Sequence, residues 1–494
     1  MKKILGSIIA AAAIWAGSTA IIGNQTKPQL NNYIEKTNNI YASNGIQLKL
    51  IEYKKSFLTS SAIIEVDIID SSLSEVLAES YNIPFKLEYT IEHGPVFLNN
   101  GFNVGLSRIN SNIQLSSLFK GEDKKDFLAL AKDDITIKTE MIVSFLNNAI
   151  YTMTSDEVKI SDNGNDLHIT PLHFNGSNNL TTFKGNGQLF VDTIEFKESN
   201  SDNGIKLEHV KMDITIDELI DNMLMLGDIQ LSIDNLMVKD DTNPELGDID
   251  IALNVNMKTE KESDKTIHSQ FEGTVQLKDT KLPAEIPALK SVHAFVDIKG
   301  LGTEGMIAFQ KSTQAMQKKQ SVLLKDLSSS TPEEMESIFK EFGKLQEEMV
   351  GEIIHTLNKL LVKNKTLITY AFDAETKDSK KSKVQASIGY TGEIEFKTPI
   401  EELTQKVQQQ ILDIINLNVD ISLDKEHIKS LPNSDELIQQ IQMGVAQGFV
   451  KETNDTYILN GYYKNKELMV NDNNLTSTVL PFVIMATQGG MQLQ

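Results

Sequence analysis

Apolar residues fall on every second position through stretch after stretch of this chain, and that period restricts it to strands with one buried and one solvated face. The pattern begins at Ile46, Leu48 and Leu50, resumes at Ile64, Val66 and Ile68, and continues in Leu87, Tyr89 and Ile91, which close on His93-Gly94-Pro95. It is clearest in the middle, in Val210 to Ile216, Ile229 to Ile233, Ile249 to Met257 and Phe271 to Leu277. Leu367, Thr369 and Ala371, then Val384 to Tyr390, then Val419 to Leu423 carry it on, and Tyr457 to Tyr463 pairs with Leu468 and Val470 as a last hairpin. Asn163-Gly164 and Asn203-Gly204 suit tight turns between strands. Leu226-Gly227-Asp228-Ile229 and Leu246-Gly247-Asp248-Ile249 echo each other, and each reads as turn chemistry opening a strand.

Helical spacing interrupts the strands in four places. Leu30, Tyr33, Ile34, Thr37, Ile40 and Tyr41 predict one short amphipathic helix ended by Asn44-Gly45. A helical hairpin is expected at Gly302 to Leu327 and Pro332 to Lys363, with Ser330-Thr331-Pro332-Glu333 as the start signal of its second arm. Its Met-rich face is expected to pack on a sheet. Thr398 to Ile415 and Asp435 to Phe449 predict two more helices, the latter stopping near Gly448. The expected fold class is α+β: predominantly antiparallel β-sheet, elongated or curved, with an inserted helical hairpin and one N-terminal transmembrane helix. The expected divisions are 1–24, 25–45, 46–302, 303–363 and 364–494.

That N-terminal helix is the uncharged stretch from Ile4 to Ile22, flanked by Lys2, Lys3 and Lys27. Ile4, Leu5, Ile8, Ile9, Ile14, Trp15, Ile21 and Ile22 supply an apolar run near the roughly 20 residues a bilayer span needs. Read as an uncleaved anchor, it leaves Lys2 and Lys3 in the cytoplasm and the large C-terminal portion in the periplasm of a bacterial inner-membrane protein. The alternative is a signal peptide cut near Ala20, after Ser18-Thr19, which would release the mature chain.

The 68 acidic against 47 basic residues give a formal charge of −21, so a nucleic-acid partner is not expected, because phosphate neutralisation needs clustered Lys and Arg. The chain has no cysteine, which removes disulfides and thiolate chemistry together. None of the eight histidines has a metal-ligand or catalytic spacing. His168 and His173 lie five apart in an extended segment and point to opposite faces. Asp162-Asn163-Gly164-Asn165-Asp166 misplaces the Gly and Glu that an EF-hand requires and reads as a hairpin turn. Asp240-Asp241 and Asp248 could share a cation, and they read just as easily as the polar rim of two strands. No phosphate loop or nucleophile elbow occurs, so no cofactor, no metal and no catalytic residue is expected. His93, Gly94 and Pro95 stand apart as a conformationally constrained strand exit, with His93 hydrogen-bonded locally.

The Lys-Lys anchor, the alternating segment from Gly45 through Asp67, and Glu92-His93-Gly94-Pro95 followed by Leu98 resemble the YdgA family of bacterial envelope proteins of unknown function. The similarity continues in the helical insertion and in Gln439 to Val470, and it brings no established catalytic residues. In architecture alone, long runs of strands on one N-terminal anchor resemble the AsmA-type proteins, which implies lipid traffic or envelope maintenance. The resulting expectation is a non-enzymatic, inner-membrane-anchored periplasmic protein that binds a hydrophobic ligand such as lipid or supports envelope organisation. The alternatives are an envelope scaffold that contacts another protein or a second copy of itself, and an enzyme with an unrecognised site.

Overall fold

Alternation along the sequence becomes antiparallel pairing in space: the strand pairs of the described residues all run antiparallel. The structure is a computed structural model and describes residues 30–31, 34–38, 45–55, 59–69, 74, 77–93, 96–97, 103–131, 133–198, 201, 203–221, 223–240, 249–278, 289–328, 332–393, 412–431 and 433–477. The apolar stretch 4–22, the Gly94-Pro95 pair, Asp241, Asp248 and residues 398–411 of an expected helix lie outside these. Among the described residues no helix is long and apolar enough to cross a membrane. The chain divides into two compact units, Met1–Ile229 with Gln310–Met349, and Gln230–Phe309 with Val350–Gln494.

The first unit is built on strands β1 (Ile46–Lys55), β2 (Thr59–Ile68), β3 (Phe85–His93), β4 (Val96–Phe97), β5 (Asn103–Val104), β6 (Ser107–Gln114), β7 (Thr136–Val143), β8 (Asn148–Ser155), β9 (Val158–Asp162), β10 (Asn165–Ile169), β11 (His173–Asn179), β12 (Gly185–Glu198) and β13 (Gly204–Ile220). Its sheet runs β1-β2-β3-β6-β7-β8-β11-β12-β13, and the β9–β10 hairpin joins it through β12. One face is a filled core. Ile91, Ile109, Met141 and Tyr151 stand in one cross-strand row and all are buried, as are Ile64, Val66, Phe85 and Leu87.

Helical residues 30–31 and 34–38 press Leu30 and Ile34 into that core, as their spacing predicts. Asn38 at the end of this helix donates from Nδ2 to the Leu48 carbonyl at 2.9 Å and accepts from the Leu48 amide at 2.7 Å, so its amide takes the place of a neighbouring strand on β1. Tyr81, Phe119 and Phe127, the last on helix α1 (Gly121–Ala131), stack at ring separations of 4.8 and 4.7 Å and seal another side. Ile51 is the extra residue of a bulge in β1, which turns an apolar side chain outward.

Strand β14 (Leu224–Lys239) follows, and the second unit carries β15 (Ile249–Lys261), β16 (Thr266–Leu277), β17 (Leu289–Gly302), β18 (Leu367–Thr376), β19 (Lys381–Tyr390), β20 (Ile415–Asp424), β21 (Lys451–Glu452), β22 (Thr456–Lys464), β23 (Glu467–Val470) and β24 (Asn473–Asn474). Its sheet order is β15-β16-β17-β18-β19-β20-β22-β23-β24, with β21 beside β22. Helices α2 (Thr303–Ser328) and α3 (Pro332–Leu360) lie between β17 and β18, where the hairpin was expected. Short helix α4 (Lys425–Lys429) is capped by Asp424, whose carboxylate accepts from the amides of Glu426 and His427. Helix α5 (Ser434–Ala446) ends just before Gly448, at φ +75°.

Five local expectations need correction. The β12–β13 connection spans residues 199–203, so Asn203-Gly204 ends a longer loop instead of forming a two-residue turn. Leu226-Gly227-Asp228 sits inside β14, not ahead of it, and Gly227 is there because a Cβ would meet the Thr215 carbonyl. Ile415 opens a strand where a helix was expected to end; only residues 412–414 of that stretch are described as helical. The apolar face of the helical hairpin is not covered by a sheet throughout: Phe309 and Met335 are partly exposed and Phe339 is 62% exposed. In β18 the residues that join the apolar cross-strand rows are Ile368, Tyr370 and Phe372, and Leu367, Thr369 and Ala371 lie on the other face. By contrast, Asn163 and Gly164 form the expected two-residue turn, with φ of +49° and +83°.

Candidate functional site

The cross-strand register of the second unit sorts its side chains by chemistry. One row runs through directly paired residues Met257, Phe271, Val296, Tyr370, Ala386, Val419, Gly461 and Val470. The next row on the same face is Val255, Gly273, Ala294, Phe372, Val384, Ile421 and Leu459. Outside these two come Leu253, Val275, Val292 and Ala374 on one side, and Ile298, Ile368, Ile388, Leu417 and Tyr463 on the other. At a strand spacing of about 4.8 Å, eight strands make this apolar face roughly 30 Å across.

This face is open. None of the fifteen residues in the two central rows is buried, and Tyr370 and Phe372 are each 48% exposed. In the first unit the apolar rows of β2, β3, β6, β7 and β8 are sealed, whereas β13 has no buried residue. At one end of the face Leu357 and Leu361 pack on Tyr390, Ile414 and Ile415, and Tyr390 donates its hydroxyl to Asn358 Oδ1 at 2.8 Å. Soluble monomers rarely leave a contiguous apolar patch above a few hundred Å² uncovered, and larger ones mark binding surfaces.

The opposite face is polar and cross-linked. His268 on β16 bridges Glu260 on β15, at 3.2 Å from Nδ1, and Asp297 on β17, at 2.5 Å from Nε2. His293 on β17 repeats the arrangement one strand over, with Glu272 at 3.0 Å and Asp373 at 3.2 Å. Burial opposes ionisation of Asp297, which is 7% exposed, but hydrogen bonds from His268 and Gln270 outweigh it and hold the carboxyl below the usual range. Periodicity alone could not identify these bridges, because they join residues distant in sequence.

His93 lies at the end of β3, and its Nε2 is 2.9 Å from Ser60 Oγ on β2. Tyr53 of β1 donates to the same Ser60 oxygen at 3.3 Å, so three adjacent strands are tied together there. The partner is 33 positions away, not local as expected. Burial, and then the positive charge of Lys55, push the His93 pKa below 6.5. Its Nδ1 is buried without a hydrogen-bond partner among the described residues, and Ser60 is only 4% exposed. His168 and His173 fall on different strands, β10 and β11, and His168 Nε2 contacts Glu157 at 2.7 Å. Among the described residues no group of three or more His, Asp or Glu side chains is placed to hold a metal ion.

Neither a curated protein nor a solved structure matches this chain. One family profile does, described as a bacterial protein of unknown function, and it matches residues 1–477. The chain therefore belongs to the DUF945 family of bacterial proteins of unknown function.

Proposed function

We propose that this is a non-enzymatic protein of the bacterial envelope, tethered to the inner membrane by residues 4–22, whose second-unit sheet takes up the acyl chains of lipid. The observation that carries the reading is the open apolar face across β15 to β23. Acyl chains fit it because it is broad, nearly free of hydrogen-bonding groups and has no charged side chain in its two central rows. Such a surface gains from burial, at about 25 cal/mol per Å², without fixing a polar headgroup. Tethering supplies lipid at the membrane surface, and the likeness to the YdgA family agrees with an envelope location. The Ser60–His93 pair serves the strands in this reading, because a buried hydroxyl offers no attack path to a substrate.

Native mass spectrometry of the full chain, extracted from membranes in mild detergent, tests this. Bound phospholipid is expected on the wild-type chain and is expected to fall at least about tenfold in a Tyr370→Glu/Phe372→Glu variant, since placing charge on an apolar contact costs more than 1.4 kcal/mol. Equal lipid in both would sink the proposal. A second reading, a scaffold that binds a partner or a second copy, draws on the exposure of Phe309, Met335 and Phe339 along the helical pair. It predicts a two-chain mass that Phe339→Glu abolishes and that the sheet variant leaves intact.

A further inference from the structure

The β7–β8 hairpin turns through Phe145 and Leu146, which are 56% and 81% exposed. Turns at a protein surface are ordinarily polar, because nothing covers them. Here the flanking chain is also uncharged. From Met141 to Ser155 there is no Asp, Glu, Lys, Arg or His. Two further uncharged segments meet this one. Leu106 donates its amide to the Val143 carbonyl at 2.7 Å, bringing in the uncharged residues 103–107 and the paired 96–97, and Val104 is 53% exposed. Leu180 donates to the Asn147 carbonyl at 2.9 Å, and Asn147 Nδ2 to Thr181 Oγ1 at 2.8 Å, bringing in the run 174–183. In a chain with 68 acidic and 47 basic residues, three uncharged segments therefore converge on one end of the first unit, and that end is tipped with Phe and Leu.

We infer that the Phe145-Leu146 tip is a second membrane contact, seated in the interfacial region of a phospholipid bilayer. Charge selects the occupant. A chain of net charge −21 is repelled by an anionic leaflet over most of its surface, and this uncharged end can approach without that penalty. Position agrees, because Lys36, on the helix that follows the apolar stretch 4–22, lies 5.9 Å from the ring of Phe183 at the foot of the same end. Phe and Leu suit the boundary between headgroups and acyl chains, about 5–10 Å deep. The contact would fix the orientation of the first unit on the membrane that the N-terminal stretch tethers it to, and in that respect it rests on the tethered reading.

The absence of cysteine makes the test direct, since Leu146→Cys creates one labelling site in the full chain. The chain is labelled there with an environment-sensitive fluorophore and reconstituted in vesicles of phosphatidylethanolamine and phosphatidylglycerol, some carrying a spin label on the shallow acyl carbons. The label at 146 is expected to shift to the blue and to be quenched by the spin-labelled lipid. Adding Phe145→Asp is expected to weaken the quenching, and a label at Glu122→Cys, on the exposed first turn of α1, is expected to show none. Quenching of an Ile14→Cys label without quenching at 146 would overturn the tip contact and leave the tether standing. Quenching at neither position would overturn both, and equal quenching at 146 and 122 would show nonspecific adsorption and overturn the tip contact.

Discussion

Buried polar atoms differ in whether their partners were supplied, and that difference decides what substitution does. The Tyr89 hydroxyl is buried without a partner among the described residues, and burial pushes its pKa upward. Removing such a group relieves its desolvation, so Tyr89→Phe is expected to leave stability unchanged or raise it by about 1 kcal/mol in urea denaturation; a loss would reveal a hydrogen bond. Asp297 is the opposite case, with His268 and Gln270 both bonded to it. Asp297→Asn is expected to cost about 1–3 kcal/mol. Because its folded pKa is held below the unfolded value of 3.8, this stabilisation is complete above that pH and disappears as pH falls through the folded pKa. The variant's stability should therefore depend less on pH in that acid window. His93 has its pKa lowered from 6.5. The unfolded ring then takes up a proton before the folded one, and stability declines as pH falls below that value. An NMR titration of the His93 ring should place its midpoint below 6.5; a midpoint at or above it would contradict the environment described.

Elements were legible in the sequence where side-chain period alone decides them, and less so where contact between distant segments does. The β3 alternation of Leu87, Tyr89 and Ile91 and the Asn163-Gly164 turn follow from local chemistry, and both stand in the structure. Strand β18 shows the limit. Leu-Ile-Thr-Tyr-Ala-Phe is apolar in either phase, and only pairing of Tyr370 with Val296 and Ala386 selects the face; a one-residue slip exchanges every side chain between faces. The start of α2 is likewise fixed from a distance. A Cβ at Gly305 would come within 2.3 Å of the Leu360 amide nitrogen, so α2 and α3 touch backbone to backbone. Gly305→Ala should cost about 2 kcal/mol or more by forcing them apart, measured as a lowered thermal midpoint. An unchanged midpoint would contradict so close a crossing. Of the candidate site, the alternation of β15, β16, β19, β20, β22 and β23 was visible in the sequence, whereas strand β17, the Tyr370 and Phe372 phase of β18 and the lack of cover were not, because phase and cover are set by what pairs with and packs on a strand.

At the scale of the whole molecule, strands with the same alternation have different fates in the two units. The first unit fills the apolar face of β2, β3, β6, β7 and β8 with residues 30–31 and 34–38, the Tyr81 to Phe127 aromatic stack and α1, whereas the second leaves the central rows of its face unburied across eight strands. Family membership brings no activity with it, so the meaning of the open face has to be tested where lipid is present. A photo-crosslinking amino acid placed at Phe372, on the apolar face, and separately at Asp373, on the polar one, samples both sides of a single strand in living cells. Ultraviolet capture of phosphate-labelled lipid at 372 and not at 373 is the predicted result. Capture at neither position, or equally at both, would contradict lipid binding on this face.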